Sequence, residues 1–167
     1  MKPNRSTTRL IRGNPFLKEQ VHDPYRAHEK LKDAIGCPQC GARYRNGHWT
    51  WPQNDTREFR SELCPACRRT NDHYPAGELV LSGSFVASHR GELLRVANNI
   101  GELEKAQHPL HRIMAIDEDG DEIVIHTTDV HLPHRIGHAL KDAWGGALET
   151  HYDPDGYFAR CVWGRDG

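Results

Sequence analysis

Four cysteines stand in two C-P-x-C turns, Cys37-Pro38-Gln39-Cys40 and Cys64-Pro65-Ala66-Cys67, with twenty-three residues between them. A Cys-x-x-Cys turn lets two thiolates converge on one point. Two such turns complete a tetrahedral shell with sulfur–metal bonds of about 2.3 Å. Pro38 and Pro65 stiffen the turns, and Gly41 permits the close backbone approach that the first one needs. The intervening length slightly exceeds the usual window for this pattern but still holds a hairpin, with Tyr44, Trp49 and Trp51 as strand residues. The chemistry predicted is one structural Zn2+ in a closed site, a zinc ribbon. Four thiolates leave no open position for catalysis, so the ion's role is to fold a module that cannot bury enough apolar surface alone. Disulfides are the main alternative, and reducing cytosol disfavours them. A thioredoxin-like redox pair would need a βαβ setting that neither turn has. The fifth cysteine, Cys161, falls on the same strand face as Tyr157, Ala159 and Trp163 and reads as an inert core thiol.

Around the cysteines lie Arg43, Arg45, Arg57, Arg60, Arg68 and Arg69, interleaved with Tyr44, His48, Trp49 and Trp51. Guanidinium groups pair bidentately with phosphates, and exposed rings stack on bases. The arginines as a group therefore point to phosphate contact. Trp49 and Trp51 have two open readings, base stacking or the ribbon's own small core. Lys2, Arg5, Arg9 and Arg12 add a basic arm at residues 1–16, broken by Pro3, Asn4, Gly13, Asn14 and Pro15.

Twelve histidines are present. His134 and His138 would share a helix face at i, i+4, with His131 and Asp129 nearby, a spacing that can chelate a metal. The position after His134 is Arg135, not the glutamate of an H-E-x-x-H site, and a cation there disfavours metal. Exposed or capping histidines are the simpler reading. No phosphate loop, nucleophile elbow or other catalytic constellation is visible.

These residues need elements to position them. The 167 residues have a mean hydropathy of -0.77 and 37% hydrophobic content, which points to small, reinforced cores. Charge is split. Through residue 70 there are fourteen Lys/Arg against seven Asp/Glu, and from residue 71 eight against sixteen. The split suggests an anion-binding front and an acidic remainder; the plainer alternative is two domains with different solvated surfaces. The N-terminus lacks an apolar signal core, and no stretch nears the eighteen or so apolar residues of a membrane span, so the expectation is a cytoplasmic protein.

Residues 17–75 are read as a short helix beginning at Asp23-Pro24 plus the ribbon. Residues 76–167 are read as an α+β domain. In it, GELVLSGS is a short strand, and Leu93, Val96, Ala97, Ile100 and Leu103 mark an apolar stripe on a helix over about 84–107. Two hairpins follow, turning at Glu118–Asp121 and at Asp153–Gly156, with a Pro133-initiated helix between them on the stripe Ile136, Leu140 and Ala143. The fold class predicted is α+β: a zinc ribbon followed by a two-layer antiparallel sheet with helices on one face, in the order αββαββ.

The C-P-x-C pair, the helix opening near SGSF, and the tail HPLHRIM, TTDVHLPHRIGHAL and HYDPDGYFARCVW together resemble a family of small bacterial zinc-ribbon proteins named after a Burkholderia locus. The resemblance spans about Val21 to Trp163. It implies a bacterial cytosolic protein with a ribbon and an α+β tail, and it carries over no catalytic residues. More distantly, a ribbon followed by α+β elements is similar to the large-ribosomal-subunit export adaptor of archaea and eukaryotes, which has more cysteine knuckles. That likeness implies a ribosomal partner.

The functional expectation is a non-enzymatic, zinc-stabilised RNA-binding factor that associates with the ribosome or ribosomal RNA, with ribosomal proteins as further contacts. A role in stalled or dormant ribosomes is the corresponding stress or hibernation hypothesis. No membrane and no small-molecule substrate are implied. The alternatives are a protein-interaction adaptor docking through the ribbon, and a metal-dependent hydrolase built on His131, His134 and His138.

Overall fold

The computed structural model describes Tyr25, residues 34–54 and residues 57–167. The basic arm with Lys2, Arg5, Arg9 and Arg12, and the predicted helix from Asp23 apart from Tyr25, lie outside the described residues.

The cysteine module is built from very short pieces. Strands β1 (Ile35–Gly36), β2 (Arg43–Arg45), β3 (His48–Thr50) and β4 (Arg60–Ser61) form one sheet in the order β3-β2-β1-β4, and helix α1 (Pro65–Asn71) follows. The β2–β3 hairpin turns at Asn46-Gly47, both at positive φ, as a two-residue turn demands. Tyr44 pairs with Trp49 across it, and their rings meet edge-on with centroids 5.6 Å apart.

The second sheet comprises β5 (Gly77–Ser82), β6 (Ile113–Asp119), β7 (Glu122–Thr127), β8 (Ala147–Tyr152) and β9 (Ala159–Gly164), in the order β6-β7-β5-β9-β8. Helices α2 (Ser84–Gln107) and α3 (Leu132–Trp144) pack on one face. Leu93 and Ala97 of α2 and Ile136 and Leu140 of α3 meet Leu79, Leu81, Ile123, Ile125, Cys161 and Trp163 of the sheet in one core. The α+β class and the two-layer arrangement agree with the sequence reading.

One pairing differs from it. The sheet is mixed, because β9 runs parallel to β5. The expectation from sequence is an antiparallel sheet throughout. Instead the return strand of the β8–β9 hairpin takes the inner position and β8 the edge. The physical reason is composition. Ala159, Cys161 and Trp163 are fully buried on β9, whereas Glu149, His151 and Tyr152 leave β8 suited to solvent. GELVLSGS likewise becomes the central strand, paired on both sides.

The stripe of α2 is also shifted. Leu103 is 62% exposed, while Gly101 and Glu104 turn inward. A Cβ on Gly101 would lie 2.9 Å from Cδ1 of Ile113, so the residue that weakens the helix also lets β6 approach it. Ala143 is exposed, and Trp144 packs on the core in its place. No helix of the described residues is long and apolar enough to cross a membrane.

Candidate metal centre

The four sulfurs of Cys37, Cys40, Cys64 and Cys67 lie within 4.8 Å of one another, and those of Cys40 and Cys64 are 3.8 Å apart. All five cysteines of the chain are free thiols, so the disulfide alternative is not realised. The first knuckle closes when Gly41, at φ +83°, donates its N–H to the Cys37 carbonyl and Ala42 donates to Sγ of Cys40. The second opens a helix. Cys64 is the N-cap of α1, and its Sγ accepts the N–H of Cys67 at 3.4 Å, with Pro65 at the first helical position. Helix N-terminal donors favour a negative sulfur there.

One residue that the sequence reading missed completes the centre. Arg112 reaches across from the α+β unit. Its Nη1 donates to Sγ of Cys67 at 3.4 Å, and its Nη2 donates to Sγ of Cys40 at 3.1 Å and of Cys64 at 3.6 Å. Its Nε is anchored on the Pro109 carbonyl, and its backbone is clipped to Thr128. Nothing local marks Arg112 in the sequence: it stands forty-five residues beyond the last ligand cysteine, and only the fold brings it back.

The electrostatics of the four thiols are uneven. Burial alone would push the Cys37 thiol up, but backbone donors at Cys64, Cys40 and Gln39 outweigh it and hold it at about 6. Burial pushes the Cys64 thiol well above its ordinary value. It also raises Cys67, against the opposing pull of Arg112. Arg112 is held more firmly protonated than an ordinary arginine: burial acts against its charge, and the Cys67 and Cys40 sulfurs overcome it. Burial thus works against ionising Cys64 and Cys67, and a bound divalent ion would supply what is lacking. A tetrathiolate shell around such an ion carries a formal charge of 2−, and Arg112 offsets part of it. The four cysteines can hold a metal ion in a closed site.

The predicted phosphate contacts divide. Arg60 and Arg68 have side chains 65% and 41% exposed and both pair with Glu62. Arg57 is exposed and Arg45 half-buried. The Arg43 guanidinium lies over the Phe59 ring at 3.9 Å. Arg69 is only 4% exposed. Its guanidinium sits over the Tyr25 ring at 4.4 Å and donates to the Tyr74 carbonyl, so it is turned inward rather than offered to phosphate. The two tryptophans also part. Trp51 packs on the cysteine cluster and donates Nε1–H to the Lys105 carbonyl at 2.7 Å, a structural role. Trp49 packs on the same cluster but also lines a cavity of about 440 Å³ between the ribbon and the α+β unit, with Tyr44, Arg68, His111 and His131.

His131, His134 and His138 do not converge as a triad. Nε2 of His134 and of His138 lie 3.1 Å apart, but among the described residues no group of three donors includes them. Asp129 uses its carboxylate on the backbone N–H groups of His131 and Leu132, capping α3. Burial, followed by His138 and His131, lowers the His134 pKa. Burial raises the Cys161 thiol in the core, as expected for an inert residue.

Comparison with known proteins finds no matching family model, no similar curated protein and no similar solved structure.

Proposed function

We propose that the chain is a non-enzymatic RNA-binding factor that associates with ribosomes, its four cysteines holding one structural Zn2+. The donor set supports zinc: four cysteine sulfurs within 4.8 Å of one another suit an ion that takes closed tetrathiolate shells and has no redox chemistry to perform. The observation that carries the RNA reading is the cavity between ribbon and α+β unit, where the Tyr44 and Trp49 rings stand with the Arg68 guanidinium. Rings and a guanidinium at one opening suit an unstacked base and its phosphate. Exposed Arg57 and Arg60 on the same module extend the cationic surface. Arg69 lines the same cavity but is only 4% exposed and held over the Tyr25 ring, and Trp51 is committed to the Lys105 carbonyl, so neither is offered to phosphate or base.

The opposite face of the second sheet favours protein as an additional contact. Half-buried Val124 and Val162 stand on either side of the buried Val80 across β7, β5 and β9, flanked by Asp117 and Glu149. A short apolar row with acidic ends suits a basic protein such as those of the ribosome, and it does not suit a polyanion. The adaptor reading from sequence docks a partner through the ribbon; a contact on this sheet face is a different one, and it is compatible with RNA contact through the ribbon.

The test is binding of zinc-loaded, full-length protein to ribosomal RNA across a salt series. The logarithm of affinity should fall linearly with that of salt concentration, since phosphate contacts release counterions. Arg68→Ala should weaken binding and make that slope shallower by about one contact, with the metal retained. Trp49→Ala should remove about 1–3 kcal/mol of stacking. Absent binding at low salt, or a flat salt dependence, would overturn the reading.

A further inference from the structure

The connection 108–112 between α2 and β6 points both ways. Leu110 and Arg112 face the cysteine cluster, while His111 faces the end of α2 and the start of α3. There it meets Glu104, a carboxylate only 8% exposed on the last turn of α2. Oε1 of Glu104 accepts from Arg135 at 2.8 Å, which leaves Oε2 facing Nδ1 of His111 at 3.3 Å. The exposed His108 completes the group, its ring centroid 4.6 Å from that of His111. One donor atom from each of the three residues lies within 4.8 Å of the others.

We propose that Glu104, His108 and His111 form a second metal site, separate from the cysteines, for a borderline divalent cation such as Zn2+. One carboxylate and two imidazoles are a donor set that such ions take, and three protein ligands leave a position open to solvent or a further ligand. The spacing agrees. Bonds of about 2.0–2.1 Å in a tetrahedron separate neighbouring donors by about 3.3 Å, the Glu104–His111 distance. A charge-assisted hydrogen bond would be shorter, about 2.7–2.9 Å.

The surroundings carry the argument further. A metal-bound histidine commonly gives its other ring nitrogen to a carboxylate, which fixes the tautomer and raises its basicity. Nε2 of His111 lies 3.6 Å from Oδ2 of Asp129, itself held by the capping of α3. Arg135 plays the corresponding part for Glu104 by holding the oxygen that does not face His111. Each of these two ligands thus has an outer partner that would orient it. The competing arrangement is an ion-pair network in which a protonated His111 bridges Glu104 and Asp129 without metal. The site does not depend on the RNA reading, and neither result below bears on RNA affinity.

Cobalt distinguishes the two arrangements. Full-length protein with its cysteine site saturated by zinc is titrated with Co2+ and followed by visible absorption. The expected result is one equivalent of Co2+ giving ligand-field bands without thiolate-to-cobalt charge transfer. His108→Ala, at an exposed position that should not disturb folding, is expected to weaken Co2+ binding at least tenfold, and His111→Gln to abolish it. Asp129→Asn keeps a residue able to cap α3 and is expected to weaken Co2+ binding about tenfold through orientation alone. His134→Gln should leave it unchanged. The proposal is overturned if no second equivalent binds, if binding survives His108→Ala and His111→Gln, if it is lost instead in His134→Gln, or if the only spectrum seen is that of cobalt thiolate.

Discussion

The two parts of this molecule are held together by different physics. The α+β unit has five strands of six or seven residues and a core in which Leu79, Leu81, Leu93, Ile123, Ile125, Ile136, Leu140 and Trp163 are at or near zero exposure. Burial of that kind, at about 25 cal/mol per Å² of apolar surface, is enough to hold a fold. The cysteine module has strands of two or three residues, and its buried cluster is Ala42, Ala66 and three of the cysteines. There is too little apolar surface there to offset chain entropy. Where side chains cannot supply cohesion, coordination must. The same chain would thus depend on metal in one part and not in the other.

The largest effect should come from removing one ligand. Cys64→Ser takes away a thiolate and the sulfur that accepts the Cys67 N–H, so the centre loses both its ion and the start of α1. The expected outcome is protein without bound metal in that site, with loss of amide protection in the cysteine module and retention of it along β5. Hydrogen exchange read residue by residue checks this. If β5 loses protection together with the ribbon, the two parts are one cooperative unit and the contrast fails.

Arg112 should give the next largest effect, because it belongs to one part and serves the other. Arg112→Met keeps the bulk of the side chain but removes the donors to three sulfurs and the positive charge beside a dianionic shell. Outer partners of this kind commonly change metal affinity about 10–100-fold. Competition with a chromophoric chelator should show a loss in that range, while the melting of the α+β unit hardly moves. An unchanged metal affinity would mean that Arg112 is only packing against the cluster.

What could be read from sequence follows the same division. The cysteine turns, the Pro133 helix and the two later hairpins were legible because each is specified by neighbours: ligand spacing, a proline at a helix start, glycine at positive φ. The arrangement of β9 beside β5 was not, since local alternation gives a strand's buried face but not its neighbours in the sheet. The same limit hid Arg112 and the grouping of Glu104 with His108 and His111, which needs the turn after α2 to bring i+7 back onto i. Arg69 and Trp51 show the converse. Their types suit nucleic-acid contact, and only tertiary packing, on Tyr25 and on Lys105, takes them out of that role.

The smallest effect, at Trp51, examines the seam between the two parts. Lys105 is in the last turn of α2, and the residue four further on, whose N–H would donate to its carbonyl in a continuing helix, is Pro109, which has none. Nε1–H of Trp51 supplies the missing donor at 2.7 Å. Trp51→Phe keeps a large ring against the cysteine cluster and removes that donor alone. The expected loss is about 1 kcal/mol, which for a chain of this size lowers the melting temperature by about 2–4 °C. Metal decides the interpretation. If the ribbon depends on its ion, chelation should release Trp51 from α2, and the difference between wild type and Trp51→Phe should vanish in the metal-free protein. A difference of equal size with and without metal would mean that Trp51 stays docked when the cysteines are empty, and the seam would then belong to the α+β unit rather than to the ribbon.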